Sequence, residues 1–379
     1  MSAETILSNA RIVLADEAID GHVVIRDGRI VDIGKGPATG EDLGGDTLIP
    51  GLVELHTDHI ETHFMPRPKV FWDMFAALQA HDAQIAASGI TTVFDAIRVG
   101  TDEDATLTVD TMEKLSNVIA EAAASDDTRA EHFIHLRCEV SAPDAVEGFE
   151  RLSQNPRVRL ASLMDHAPGQ RQFVSFETYR LYYQKKKALS DEEFDRFSQK
   201  RIAESEANSA PSRRAIAAVA HERGIALASH DDATEAHVDE AIALGTKIAE
   251  FPTTPMAAKA SHGAGLGVLM GAPNIVRGGS HSGNVAAHDL LAAGHLDILS
   301  SDYIPFSMLQ AAFLLARDGT LDLPAAIRLV SANPARAAGL ADRGEIAIGK
   351  RADLVRVRAD RPERPPLVAS VYRAGRRVA

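Results

Sequence analysis

Pro50-Gly-Leu-Val-Glu-Leu-His-Thr-Asp-His59 is an apolar run that opens on a Pro-Gly pair and ends in two metal-type side chains, His56 and Asp58. Alternate residues of a strand share a face, so the imidazole and the carboxylate point to the same side. At the C-terminal end of a barrel strand that side faces the active site. Imidazole with carboxylate suits zinc, manganese or iron. A surface His and Asp in a polar turn is the bland alternative, and the Pro-Gly and the apolar strand weigh against it.

Upstream of this stretch the chain reads as short strands at Ile6–Val13, Gly21–Arg26 and Arg29–Ile33, with Asp27-Gly28 as a hairpin turn. Downstream the rhythm becomes strand, loop, helix. Strand-like runs lie at Leu52–Leu55, Thr91–Ala96, Phe133–Val140, Val158–Met164, Ile225–Ser229, Lys247–Phe251, Gly267–Val276 and His295–Ser300. Ala-rich helical stretches fall between many of them, among them Phe75–Ser88, Thr108–Ser125, Ser212–Arg223 and Ala233–Leu244. Several of the runs are apolar on both faces, as in a buried parallel sheet. Eight such units are the count of a (β/α)8 TIM-type barrel, an α/β fold. A polar stretch, Tyr179–Ser209, interrupts the rhythm with Lys185–Lys187 and Asp191-Glu-Glu193. It reads as a solvated helical insertion or as a lid that brings positive charge to an anion. After Leu340 alternation returns, at Gly344–Val357 and Leu367–Arg373. The expected plan is a small β-sandwich domain formed by both termini, residues 1–50 and 341–379, around a barrel of residues 51–340.

The bulk composition narrows the function classes. The 379 residues are 45% hydrophobic and 25% charged, within the range of ordinary globular proteins. A net charge of −13 argues against broad binding to nucleic acid or an anionic membrane, while leaving room for a local basic pocket. One cysteine, Cys138, excludes an intrachain disulfide and a cysteine-only zinc site, and fits a reducing compartment. No basic-apolar leader opens the chain, and no run approaches ~18 uninterrupted apolar residues, so the expected location is cytoplasmic.

Metal-type residues recur at later strand ends: Glu139, Asp165-His166, His230-Asp-Asp232, Glu250 and Asp302. One such residue is usually a satisfied polar group. Six strand ends converging on one mouth would crowd buried charge unless a cation sat among them. That favours a divalent metal centre of one or two ions.

These residues, with Ser331-Ala-Asn-Pro-Ala-Arg336 and Gly349-Lys-Arg-Ala-Asp-Leu-Val355, resemble the amidohydrolase superfamily over nearly the whole chain. The resemblance implies metal-dependent hydrolysis, with Asp302 as catalytic base and metal ligand. The implied ligand set is His56, Asp58, Glu139, His166, His230 and Asp302, with zinc first among the metals. Three departures stand out. The usual His-x-His is His56-x-Asp58. No lysine ends the fourth strand, leaving Glu139 or Asp165 to bridge. The sixth strand offers Glu250 in place of His.

One branch fits more closely. His56-Thr-Asp-His-Ile-Glu-Thr-His63, Pro66-Arg-Pro68, His81-Asp-Ala-Gln84, Gly89–Asp95 and Arg277-Gly-Gly-Ser-His-Ser-Gly-Asn284 are similar to the enzymes of phosphonate catabolism that hydrolyse a ribosyl 5-triphosphate to the 5-phosphate and pyrophosphate. The expected partner is therefore a small anionic sugar phosphate, with a homo-oligomer also allowed. In the residues themselves, the Gly-rich loop offers backbone N–H groups, and Ser280, His281, Ser282 and Asn284 can donate to an anion. Arg67 sits on a stiff Pro-flanked segment. Arg137 and Arg171 add guanidinium forks suited to phosphate, although Arg137 also reads as a structural ion-pair partner. His63 completes the expected substrate contacts. The rivals are a C–N hydrolase (deaminase, cyclic amidase or N-acyl deacetylase) on the same scaffold and a non-enzymatic metal-binding subunit.

Overall fold

In the computed structural model, which describes residues 4–67, 70–100, 107–171, 177, 179–180, 184, 189–280, 283–361 and 363–379, the strands form two separate eight-stranded sheets. The first takes β1 (Glu4–Val13), β2 (Ala18–Arg26), β3 (Arg29–Lys35), β4 (Glu41–Asp42) and β5 (Thr47–Pro50) from the front of the chain. The second is β6 (Leu52–Thr57), β7 (Ile90–Val99), β8 (Glu131–Glu139), β9 (Val158–Met164), β10 (Ala226–His230), β11 (Ile248–Glu250), β12 (Gly267–Gly271) and β13 (Ile298–Ser300). The end of the chain returns β14 (Leu354–Arg358), β15 (Leu367–Arg373) and β16 (Arg376–Arg377) to the first sheet.

The joint is the antiparallel pairing of β14 with β5, from Leu354 opposite Pro50 to Val357 opposite Thr47. At the other edge Ile30 donates its backbone N–H to Lys350 (2.9 Å) and accepts that of Gly349 (2.8 Å), so the sheet closes over its own core. Leu7, Ile12, Val23, Ile30, Leu48 and Leu354 fill that core.

Strands β6 to β13 pair in parallel, each with its sequence neighbour. The circle is completed at Asp302, whose N–H donates to the His56 carbonyl at 3.1 Å and whose carbonyl accepts the Asp58 N–H at 3.1 Å. A side chain also spans this seam. The buried Glu54 carboxylate accepts the N–H of His56 (2.6 Å) and that of Ser301 on the last strand's exit. Burial pushes this carboxyl up to about 8. Val53, Leu55, Phe94, Phe133, Leu160, Ile248 and Leu269 pack the interior, and Ala335, Ala338 and Leu340 join them.

Three segments depart from the sequence reading, the first being the strand pattern at Gly344–Val357, which is strand only from Leu354 on. The expected strand Gly267–Val276 stops at Gly271 and becomes the helix Ala272–Arg277, with Pro273 in its first turn. Proline has no N–H for a sheet ladder and suits a helix start. The expected helix at Ser212 is the second half of one 32-residue helix, Asp191–Glu222, that runs through Pro211. A full capping box at Ser190 and Glu193 starts it. Lys185–Lys187 lie outside the described residues. No helix of the described residues is long and apolar enough to cross a membrane.

Candidate active site at the barrel mouth

At the C-terminal ends of the strands lies a cavity of about 410 Å³. His56, Asp58, Arg137, Glu139, His166, His230, Asp231 and Asp302 line it. The pairing of β6 with β7 slips between Glu54 and Thr57. That irregularity is where the inward side passes from Leu55 to His56, and it turns His56 and Asp58 into the cavity. On β8 the alternation is regular, so Phe133 packs the interior while Arg137 and Glu139 reach the mouth.

The donor groups fall into two adjoining sets. His56, Asp58 and Asp302 can bring one ligand atom each within 4.8 Å of one another, and so can His166, His230 and Asp231. The two sets touch, since the His56 and His230 rings stack with centres 5.6 Å apart. Asp231 was passed over in the sequence, where it sat between two more conspicuous neighbours. Asp231 and Asp302, like Phe251, hold left-handed backbones, with φ of 56°, 55° and 51°. Such conformations cost of order 1–3 kcal/mol each in non-glycine residues and cluster at functional sites.

Electrostatics separate the groups. Burial pushes the His56 and His230 imidazoles down to about 4, so both are neutral and able to ligate. Burial, then the charge of Asp58, pushes Asp302 up to about 7, and burial pushes Asp231 up to about 6. Burial also opposes the ionised form of Asp58, but Arg137 at 2.5 Å outweighs it and holds that carboxyl below its usual range. Two buried carboxylate oxygens, Asp58 Oδ1 and Asp231 Oδ2, have no hydrogen-bond partner among the described residues. Neutral imidazoles beside crowded carboxylates with orphaned oxygens are a donor set that fits a divalent cation.

Glu139 and His166 form a tight pair, with Nδ1 2.7 Å from Oε2. Glu139 also accepts from Ser141 (2.6 Å) and from Arg201 of the long helix (3.1 Å). Arg201 and Arg98 both line the cavity, and neither stood out in the sequence. Glu250 lies beneath the cavity, fully buried, with one oxygen 3.0 Å from His230 Nδ1 and 3.2 Å from His56 Nδ1. The hydrogen bond to His230 fixes that ring's tautomer, and the Nε2 atoms of both rings lie toward the acids Asp231 and Asp58. Asp165 is turned away, accepting from Ser205 (2.8 Å) and Ser209 (2.6 Å) to anchor the long helix.

The expected substrate contacts divide. Asn284 lines the cavity with Arg277, Gly279 and Ser280 of the same loop, and Arg137 lines it from β8. His281 and Ser282 lie outside the described residues. Arg67 is exposed and Arg171 is buried on Asp232 and Glu240 (2.6 Å), and neither lines the cavity. His63 also stands off it, on the helix His59–Phe64 beside His59 and His81.

A parallel barrel with imidazoles and carboxylates gathered at its C-terminal mouth defines the class of metal-dependent barrel hydrolases. The amidohydrolase family model matches residues 68–379, and the chain belongs to the amidohydrolase family. It is 48% identical over 378 residues to the α-D-ribose 1-methylphosphonate 5-triphosphate diphosphatase of Escherichia coli (strain K12), covering 98% of this chain and 100% of that one. Among solved structures it is similar to an N-acetyl-D-glucosamine-6-phosphate deacetylase from Mycobacterium smegmatis, with TM-score 0.67, 18% identity and 100% of both chains covered. It is also similar to a 5-methylcytosine deaminase from Klebsiella pneumoniae, with TM-score 0.66, 16% identity and coverage of 99% and 98%. At that identity the two structures speak to the fold alone.

Proposed function

We propose that this chain hydrolyses α-D-ribose 1-methylphosphonate 5-triphosphate to the 5-phosphate and pyrophosphate. The observation that carries the reading is the 48% identity, end to end, with a diphosphatase of that substrate. The cavity supports it, since four guanidinium groups (Arg98, Arg137, Arg201 and Arg277) line it beside the carboxylates. Arginine forks suit phosphoryl oxygens.

The residues to hold a divalent ion are His56, Asp58 and Asp302 in one set and His166, His230 and Asp231 in the other, with Glu139 against His166. Zinc suits these donors best, and manganese or iron also fit. A divalent ion, when bound, lowers the pKa of water, screens phosphoryl charge and keeps nearby carboxylates ionised. Asp302 takes the proton of the attacking water as that oxygen bonds to the α-phosphorus. The bond from the α-phosphorus to the bridging oxygen breaks, and pyrophosphate leaves with that oxygen. Arg277, with Ser280 and Asn284 in the same loop, orients the polyphosphate at the rim, and Arg137 holds Asp58 in place. A single, buried cysteine fits a reducing compartment, and we place the reaction in the cytoplasm.

The deciding experiment offers the metal-loaded protein the ribosyl 5-triphosphate and, separately, amide and amine substrates. Stoichiometric pyrophosphate with the 5-phosphate is expected. Ammonia or carboxylate release from the C–N substrates, with the triphosphate untouched, would replace this reading with a C–N hydrolase.

A further inference from the structure

The mouth has two axes. The eight parallel strands form a ring closed between β6 and the exit of β13, so the first strand, β6, faces the fifth, β10, and the third, β8, faces the seventh, β12. His56 and Asp58 leave the first strand, Asp302 the eighth, His166 the fourth, and His230 with Asp231 the fifth. The metal-type donors therefore form a band across the mouth. Arginines stand on its two flanks, Arg98 and Arg137 on the second and third strands and Arg277 behind the seventh.

On the first flank one positive charge is left over. Phe94 packs the barrel interior, and two-residue alternation along β7 carries Arg98 to the same face and into the cavity. Its register partner on β8 is Arg137, so two guanidinium groups stand side by side and repel. Arg137 is neutralised by Asp58 at 2.5 Å, and the neighbouring Arg201 by Glu139 at 3.1 Å and Glu204 at 3.2 Å. The one acid paired with Arg98 among the described residues is Glu61, at 3.9 Å, beyond hydrogen-bond reach. An anion in the cavity is the counter-charge this flank lacks. Across the band, Arg277 is exposed and likewise has no acid partner among the described residues.

The substrate of the proposed reaction carries an anion at each end. With its α-phosphorus over the donor band, the bridging oxygen leads to the pyrophosphate and the ester oxygen leads to the ribose, in different directions. Building on the triphosphate reading, we propose that Arg98 is a specificity-determining residue that binds the phosphonate on C1 of the ribose, while the pyrophosphate portion lies toward Arg277 and Asn284. A guanidinium fork matches the two free oxygens of that phosphonate. A nucleoside triphosphate carries an uncharged base at C1, leaves the charge of Arg98 unmatched and is turned over less well.

The test compares two substrates that differ only at C1, the ribose 1-methylphosphonate 5-triphosphate and the methyl riboside 5-triphosphate. Pyrophosphate release gives kcat/KM for metal-loaded wild type, Arg98→Met and Arg277→Met. Wild type is expected to favour the phosphonate by roughly 10-fold or more, the worth of a hydrogen bond between charged groups. Arg98→Met should bring that ratio close to one, whereas Arg277→Met should slow both substrates and keep the ratio. A wild-type ratio near one, or an undiminished ratio in Arg98→Met, would overturn the phosphonate subsite and leave the hydrolysis standing. No pyrophosphate from either substrate with wild type would overturn the hydrolysis and the subsite together. If Arg98→Met fails to fold, Arg98→Gln keeps a polar side chain without the charge, and its ratio decides in the same way.

Discussion

The two ends of the barrel treat buried charge in opposite ways. At the mouth, Asp302 has more acid than cation around it, Asp231 is buried among imidazoles and arginines, and burial lifts both carboxyls. At the base, Glu131 begins β8 and is also largely buried. Burial opposes its ionised form, but Arg343 and Arg351 more than offset that and hold it at about 2. Arg343 donates to Glu131 at 2.6 Å and to Thr92 at 2.9 Å, and Arg351 closes on the same carboxylate oxygen from beside β14. The base is matched within the protein and serves stability. The mouth is matched only when something else is present, and serves binding.

The sharpest way to break that contrast is Asp302→Asn. Asparagine keeps the shape and tolerates the left-handed backbone, but it cannot take a proton. A loss of at least ~100-fold in turnover is expected, with a melting temperature equal to or above wild type, because one crowded acid is gone. Normal turnover by a folded, metal-loaded variant would remove Asp302 from the mechanism.

Glu131→Gln should do the reverse. Removing one partner of a mostly buried pair leaves Arg343 with only the more exposed Asp342 and costs up to about 3 kcal/mol, read as a lower denaturant midpoint, with turnover unchanged. The pH dependence carries a sign. The folded carboxyl lies at about 2 against an ordinary 4.5, so its contribution is present above about 4.5 and fades as pH falls toward 2. The stability gap between wild type and variant should therefore narrow through that window, and a constant gap would mean that packing, rather than charge, holds the base.

The smallest effect belongs to the rim. Arg277 is exposed, and no acid pairs with it among the described residues. Arg277→Ala should cost roughly 1.5–3 kcal/mol of binding to the triphosphate, seen in KM, with bound metal and melting temperature unchanged. An unaltered KM would move the polyphosphate elsewhere in the cavity.

The same contrast explains what could be read from the chain beforehand. His56, Asp58, His230 and Asp302 each follow a short apolar run, and period-two alternation carries that signal to the mouth. Arg201 gave none, because it lies on a polar helix whose path over Glu139 is set by tertiary anchors such as Asp165 with Ser205 and Ser209. Glu250 was visible at its strand end, but its place beneath the two imidazoles depends on three strands at once. The sequence carries β12 on to Val276, since the apolar run continues through Ile275 and Val276 while the backbone has already turned into a helix.

The pairing of β5 with β14 has a consequence for how the molecule is made. Residues 47–50 leave the ribosome some three hundred residues before their partners at 354–357. Until residues 354–357 have been made, one edge of β5 lacks its partner, and a bare strand edge invites pairing with another chain. The barrel strands between them emerge while the sheet that holds β5 is incomplete, and the arrival of β14 closes its open edge.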